Sequence, residues 1–226
     1  MTPISDPLAV SDVHVSLPVA DAPAARAVYD LLLGDFGGPP WRASNASVGL
    51  ADPQSPLTID LRVADLARAA DLLRRRGLRL DESDHRIGLA DATPLRLTDS
   101  GRTCPDARML DHIVLTVADS EQAIALFGGR LGISLRLVRD LGDGISQLFF
   151  RTGSAVIEVV AGAPDAGDGI GLMGMAWRSD DIVAEQRRLA DAGLNISEVR
   201  TGRKPGTRVC TIRESALGTA TLLIQQ

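Results

Sequence analysis

The stretch DHIVLTVADSEQAIALFGGRLG, residues 111–132, decides the fold of this chain. Its apolar run at 113–117 predicts a strand, and Asp119 follows where a helix needs a side-chain acceptor for its first backbone N–H groups. Apolar residues then recur at helical spacing over 120–130, and Gly132 comes after them. The stretch therefore predicts a strand, an Asp cap, an amphipathic helix and a glycine stop.

The same phrase occurs four times, and internal repetition sets the architecture before any single residue is considered. Each copy has a strand, an Asp just past its end, a helix and a Gly. The copies are 13–19 with Asp21 and Gly34, 57–63 with Asp65 and Gly77, 113–117 with Asp119 and Gly132, and 173–177 with Asp181 and Gly193. In folds built from repeats a site usually lies in the cleft that the repeats enclose, so equivalent positions can be compared between copies.

Three further strands follow the helix in each of the last two copies, with turn signals between them. They are predicted over 135–139, 145–151 and 155–160, and over 196–201, 207–213 and 220–225. The first two copies are shorter, with helices over 23–33 and 66–76 and compressed later strands. The predicted fold class is α+β, with four βαβββ modules.

The segment 99–106 is rich in Gly, Pro, Ser and Thr and is the best predicted domain boundary. We place the boundary near residue 105. The chain then consists of a degenerate N-terminal domain, 1–105, and a C-terminal domain, 106–226, that carries the predicted site.

Composition excludes several classes of partner. The net charge of -5 argues against nucleic acid or an anionic membrane, since both require a basic face. No apolar run approaches the roughly 20 residues that span a bilayer, and the N-terminus lacks a secretory signal pattern. The two cysteines, Cys104 and Cys210, lack metal-type spacing. We therefore expect a soluble, cytoplasmic monomer or homodimer that binds a small molecule.

Three features together carry a resemblance to a known family. They are the paired βαβββ modules, the His in the entry to the strand at 111–115 with Ala-Asp after it, and the closing strand Val-Ile-Glu-Val-Val at 156–160. With them the chain resembles the vicinal oxygen chelate superfamily, well over 109–226 and loosely over 12–101. That group includes glyoxalase I, methylmalonyl-CoA epimerase, extradiol dioxygenases, fosfomycin-resistance transferases and bleomycin-binding proteins. The resemblance implies two glyoxalase-like domains with curled open sheets, whose concave face, the cup, holds a divalent metal or the ligand.

The resemblance also implies where metal ligands would lie, one on the first strand and one on the last strand of each module. His112, seven residues before Asp119, and Glu158 match these positions in the third module. In the fourth module the same positions fall on Gly174 and near Leu222, so both donors are missing there.

The N-terminal half is predicted to have lost its site by the same comparison. His14 stands seven residues before Asp21 and so repeats His112. Thr58, however, occupies the equivalent place in the second module, and Gly49 or a neighbour replaces the carboxylate.

Two donors hold a divalent metal only weakly, because three or four protein ligands are the usual minimum. The expected cofactor is therefore none, or a weakly held divalent metal on His112 and Glu158 that other residues complete. A His and a Glu in an apolar cup can also transfer protons. Burial raises the pKa of a carboxylate and an adjacent imidazole lowers it again, so either group can act as a base near neutral pH. His112 and Glu158 are thus the candidate catalytic residues.

The candidate substrate-binding residues have small, flat or cationic side chains. Gly174 leaves room for a bulky ligand, and alternation along one strand places Gln147 and Phe149 on a common face. Positive charge is concentrated between 199 and 213, where it either contacts an anionic group of the ligand or forms a solvated hairpin tip. The full set is Gln147, Phe149, Gly174, Arg178, Arg208 and Arg213.

Two functions remain open at this point. The first is an enzyme of lyase or isomerase type that acts on an oxygenated organic substrate in the C-terminal cup, with or without a metal. The alternative is a metal-free protein that binds or sequesters a small molecule, as in bleomycin resistance. An extradiol-type dioxygenase is disfavoured, because it needs two His and one carboxylate around iron. Fold alone does not choose between the first two.

Overall fold

The computed structural model describes residues 6–35, 37–83, 85–99, 101, 104–164, 166–167 and 169–226. Its first two modules contain β1 (Val10–Pro18), α1 (Ala22–Leu33), β2 (Trp41–Arg42) and β3 (Ala46–Ala51), then β4 (Thr58–Val63), α2 (Leu66–Arg75), β5 (Leu80–Ser83), β6 (Arg86–Leu89) and β7 (Leu95–Thr98). The third contains β8 (Leu110–Val117), α3 (Ser120–Ala123) with a π-helical continuation (Ile124–Arg130), β9 (Ser134–Gly142), β10 (Ile145–Arg151) and β11 (Val156–Ala161). The fourth contains β12 (Gly171–Arg178), α4 (Ile182–Asp191), β13 (Arg200–Thr201), β14 (Arg208–Ile212) and β15 (Ala220–Gln225).

The strands form two open sheets, which confirms the predicted α+β class. The strand order is β2-β3-β1-β4-β7-β6-β5 in the first sheet and β13-β14-β15-β12-β8-β11-β10-β9 in the second. Modules two, three and four each follow the order βαβββ. Module one has two strands after its helix in the described residues. Module two has all three, but β5, β6 and β7 are four residues long each, so the expectation of compressed later strands is confirmed.

An Asp side chain begins each helix, as the repeated phrase predicts. It accepts a hydrogen bond from a backbone N–H in the first helical turn, a group that has no partner within the helix. The bonds run from Ala24 N to Asp21 Oδ1 (2.9 Å), Arg68 N to Asp65 Oδ1 (2.9 Å), Gln122 N to Asp119 Oδ1 (2.7 Å) and Ala184 N to Asp181 Oδ1 (3.0 Å).

A glycine with positive φ follows each helix, where a residue with a side chain would be strained. The φ angles are 103° at Gly34, 78° at Gly77, 71° at Gly132 and 91° at Gly193. The repeated sequence pattern thus corresponds to a repeated structure, in which an Asp cap begins each helix and a glycine ends it.

Alternation along the strands gives each sheet one densely packed face. On β8, Ile113, Leu115 and Val117 are at most 1% exposed, while the intervening His112 and Thr116 are only half-buried. On β10, Leu148 and Phe150 are fully buried in the same way. The opposite face of each sheet is therefore the one that carries polar and ionisable groups.

Two elements differ from the sequence prediction. The helix predicted over 120–130 begins as an α-helix but continues in π form, and Leu131 N donates to Leu126 O at 2.8 Å. The strand predicted over 196–201 is reduced to β13 and a single bridge between Ile196 and Ile212. There the Ser197 hydroxyl accepts from Thr211 N at 2.9 Å, so a side chain takes the place of a ladder acceptor.

By its internal contacts the chain forms two compact units. The first unit comprises the described residues of 1–14, 58–102 and 114–172, and the second those of 15–57, 103–113 and 173–226. The domain boundary near residue 105 stays a prediction, and residues 100, 102 and 103 of the predicted linker lie outside the described residues. In the part of the chain that the structure describes, every helix is too short or too polar to cross a membrane.

The Asp caps provide a test of the repeated phrase. We expect Asp181→Ala to lower the free energy of unfolding by about 1 kcal/mol, because two N–H groups in the first turn of α4 lose their acceptor. The change is measured by urea denaturation. The matched control is Asp180→Ala, which removes the same charge one residue earlier. An equal loss in both variants would contradict the capping role.

Candidate functional site

Glu158 lies on β11 in the first unit, on the face opposite the packed core. The register of β10 and β11 places Phe149 directly across from Glu158, and Gln147 two residues away on the same face. The Gln147 side-chain amide donates a close hydrogen bond from Nε2 to Glu158 Oε1. The carboxylate is thus held as an acceptor by a buried amide.

Arg139 on β9 completes this cluster. It lies opposite Gln147 in the strand register, and its Nη1 donates to Gln147 Oε1 at 3.3 Å. Its guanidinium carbon also lies 5.7 Å from the centre of the Phe149 ring, within the range of a cation–π interaction. A chain of contacts therefore runs from Arg139 through Gln147 to Glu158, with Phe149 as an adjacent aromatic surface.

His112 begins a second cluster, in the second unit. Its Nδ1 lies 2.9 Å from Asp111 Oδ2. Asp111 Oδ1 accepts from Arg178 Nε at 2.8 Å and from Gln226 Nε2 at 2.7 Å. The carboxylate is thereby fixed from three directions by β8, by the end of β12 and by the residue after β15.

Burial raises the pKa of Asp111, but hydrogen bonds from His112 and Arg178 outweigh it, so the pKa lies below its ordinary value of 3.8. Asp111 is therefore ionised at neutral pH and can only accept hydrogen bonds. In the neutral imidazole of His112 the proton then sits on Nδ1, which makes Nε2 the basic nitrogen. This arrangement can orient either a general base or a metal ligand.

The fourth module does not supply the missing metal donors. A Cβ added at Gly174 would lie 2.8 Å from the backbone oxygen of Ala220, so no longer side chain fits without movement of β15. Leu222 packs against the buried cluster of Ala176, Val209 and Ile224. Position 174 thus has no room for a longer side chain, and position 222 carries a packed apolar side chain.

These residues do not fit the divalent metal that the superfamily implies. Among the described residues no group of three or more His, Cys, Asp or Glu side chains could hold an ion. A retained metal normally needs at least three protein ligands, and the apolar side chains of module four offer none. No step of the proposed chemistry therefore uses a metal.

The remaining predicted substrate-binding residues lie apart from these clusters. Arg208 pairs with Gln225 on β15. Leu222 shares the sheet face of Gly174, and Gln225 points to the opposite face because it is an odd number of residues from Leu222. Alternation therefore puts Arg208 on the sheet face opposite Gly174. Arg213 follows the end of β14 and is exposed. Arg178 is brought to Asp111, so it supports His112. The roles of Arg208 and Arg213 in ligand binding stay predictions.

Sequence reasoning missed three of the residues in these clusters. Asp111 was visible as the neighbour of His112, but nothing in the spacing indicates that its side chain turns toward Nδ1. Arg139 lies eight residues before Gln147, and a hairpin between them could have been used to pair the two. Gln226 meets Asp111 across 115 residues of chain, which leaves no local signal.

Two open mixed sheets built from βαβββ modules define two glyoxalase-like domains, and comparisons with known proteins agree. A triple mutant of 4-hydroxymandelate synthase from Streptomyces coelicolor is similar in structure, with 16% identity over 97% of this chain and 93% of that chain and a TM-score of 0.70. Methylmalonyl-CoA epimerase from Mycobacterium tuberculosis shares 27% identity over 52% of this chain and 87% of that chain, with a TM-score of 0.44. No curated protein sequence matches the chain.

Residues 111–211 match the family model of the glyoxalase/bleomycin resistance protein/dioxygenase superfamily. This match confirms the resemblance inferred from the sequence. The matched range contains His112, Glu158 and Gly174.

The Asp111 cluster predicts a pH dependence of stability. A carboxylate whose pKa is lowered by folding stabilises the native state fully above its unfolded pKa, near 3.8, and loses this contribution as the pH falls toward the folded value. We expect Asp111→Asn to cost about 1–3 kcal/mol at pH 7 and progressively less below about pH 4. Urea denaturation between pH 7 and pH 3 measures both. Asp52→Asn, on an exposed turn, is the control, and a pH-independent difference for Asp111→Asn would contradict the assignment.

His112 and Glu158 are too few ligands to retain a metal, so we expect weak metal binding. After incubation with Zn²⁺ or Mn²⁺ and gel filtration, we expect well under one ion per chain by elemental mass spectrometry. His85→Ala removes an exposed histidine and serves as the control for surface binding. Near-stoichiometric metal that is lost in both His112→Ala and Glu158→Ala would show that other residues complete a site.

Proposed function

We propose that this protein is an enzyme that moves a proton on a small oxygenated organic molecule, with lyase or isomerase-type chemistry in its C-terminal half and without a metal. The observation that carries the proposal is the Asp111–His112 pair, anchored by Arg178 and Gln226. Such an arrangement requires several polar side chains to be held in one conformation. A purely structural histidine would not need its second nitrogen oriented in this way.

His112 acts as the general base in this proposal. Asp111 accepts the Nδ1–H bond, so the lone pair on Nε2 can take a proton from a carbon next to a carbonyl group. The ionised Asp111 then stabilises the imidazolium that forms, because an opposite charge within hydrogen-bond distance favours the protonated ring. The proton returns from the same nitrogen to the product.

Glu158 is proposed as a further group able to carry a proton. The hydrogen bond from Gln147 holds its carboxylate in one orientation, and Arg139 holds Gln147. Phe149, across the strand pair from Glu158, offers an apolar surface against which a substrate can stack.

The superfamily makes proton chemistry a reasonable class for this chain. One relative of known structure is a Streptomyces coelicolor methylmalonyl-CoA epimerase variant in complex with 2-nitronate-propionyl-CoA, with 18% identity over 52% of this chain and 96% of that chain and a TM-score of 0.43. At that level the likeness does not transfer the substrate. The proposed ligand is therefore stated only as a small oxygenated molecule, and the cytoplasmic location and the oligomeric state stay predictions.

Sequestration of a small molecule is the second candidate function. It is favoured by Phe149, a partly exposed aromatic side chain opposite Glu158, on which a flat ligand could stack without any chemical step. The two functions differ in turnover, which the following experiment measures.

Deuterium uptake in D₂O, followed by proton NMR, tests the enzyme directly. The panel consists of 2-hydroxy ketones, 2-oxo acids and 2-methylmalonyl thioesters. We expect exchange of the hydrogen next to the carbonyl for at least one member, and a loss of about 100-fold or more in His112→Gln. Glu158→Gln should also slow exchange, and Arg75→Gln, on an exposed helix end, should not.

Saturable binding of panel members without any exchange would favour sequestration. Exchange that His112→Gln leaves unchanged would overturn the assignment of the base.

A further inference from the structure

The polar face of the first sheet carries a buried ion-pair cluster that the proposed function does not use. Asp60 on β4 is 2% exposed and lies beside Arg96 in the parallel register of β4 and β7. Arg96 donates from Nε to Asp60 Oδ1 at 2.5 Å and from Nη2 to Oδ2 at 3.0 Å. This two-point contact is the strong, geometrically specific form of the Arg–carboxylate pair.

Two more arginines share that face. Arg86 on β6 places its Nε 3.7 Å from Asp60 Oδ2. Arg62, two residues after Asp60 on β4, pairs through Nη1 with Asp12 Oδ2 at 3.1 Å. Among the described residues, the ion pairs of this cluster thus join three guanidinium groups to two buried carboxylates.

His14 lies within electrostatic reach of the same groups. Burial lowers its pKa, Arg86 and Arg96 lower it further, and the opposing effects of Asp60 and Asp12 do not restore it. A further carboxylate, Asp81 on the outer strand β5, lies across Gly88 from Arg96 in the strand register and so borders the cluster.

Exposure separates the two kinds of charge. The side chains of Asp60 and Asp12 are 2% and 7% exposed, whereas those of Arg96, Arg62 and Arg86 are 27%, 33% and 51% exposed. The carboxylates lie at the bottom of the cluster and hold the guanidinium groups in fixed positions, while part of each guanidinium faces solvent. Fixed cations with little remaining side-chain freedom bind an anion at lower entropic cost.

We infer that Arg62, Arg86 and Arg96 form a binding site for the oxyanion of a small molecule, a carboxylate or a phosphate, on the N-terminal sheet. This site is separate from the proposed active site, and it gives a role to the half of the chain that the metal-ligand comparison treats as degenerate. Planar guanidinium groups match both anion types, because each presents paired N–H donors. The buried carboxylates fix the guanidinium groups and leave part of each one exposed to a ligand.

Isothermal titration calorimetry of the full chain at low ionic strength tests the inference. The probes are inorganic phosphate and malonate, which represent the two sources of the oxyanion. We expect saturable binding of one of them, weakened about tenfold or more in Arg86→Gln and in Arg62→Gln, because each variant loses a charge-assisted hydrogen bond. Arg75→Gln, with the same charge change on an exposed helix end, should bind as the wild type does.

Two further measurements keep the result interpretable. Far-UV circular dichroism checks that Arg86→Gln and Arg62→Gln fold, and having both variants protects the test if one does not. Deuterium exchange by His112 is followed in the same variants and should not change, so failure of the anion site and failure of the proposed enzyme are seen separately. No saturable binding of either anion, binding that the two variants leave intact, or an equal loss in Arg75→Gln would overturn the inference and leave the cluster a structural ion-pair network.

Discussion

Every module of this protein depends on one hydrogen bond, from a backbone N–H in the first helical turn to an Asp side chain just past the preceding strand. That bond fixes where the helix begins, and the glycine with positive φ fixes where it stops. The strands that follow are then free to alternate, with one face packed and buried. His112, Glu158 and the arginines of β4, β6 and β7 lie on the other face, so the position of most of the chemistry follows from the position of the caps.

The four modules share this backbone arrangement but carry different side chains at equivalent positions. Module three keeps a His on its first strand and a Glu on its last strand, each held by a polar neighbour. Module four has closed the same positions with Gly174 and Leu222. The first two modules have placed arginines on two buried carboxylates, Asp12 and Asp60. Equivalent positions thus carry acid–base side chains in module three, apolar side chains in module four and ion-paired arginines in the first two modules.

Much of this could be predicted from the sequence, because the decisive signals are local. The strand, cap, helix and glycine of each module follow one another within about 20 residues, and alternation placed Gln147 and Phe149 on a common face. Contacts between distant strands could not be predicted. Arg96 meets Asp60 and Gln226 meets Asp111 only because the sheets bring these strands together, and comparison of metal-ligand positions alone drew attention away from the N-terminal arginines. The π form of Ile124–Arg130 and the short β13 also depend on packing that spacing does not reveal.

The two cysteines differ in a way that has a practical consequence. Cys210 is fully buried on β14, and burial raises the pKa of its thiol to about 11, so almost none of it is thiolate at neutral pH. Cys104 is only partly buried. A maleimide fluorophore or spin label will therefore react at one position of the natural chain. That position lies beside the predicted domain boundary, so a spectroscopic probe can be attached there without any engineered cysteine.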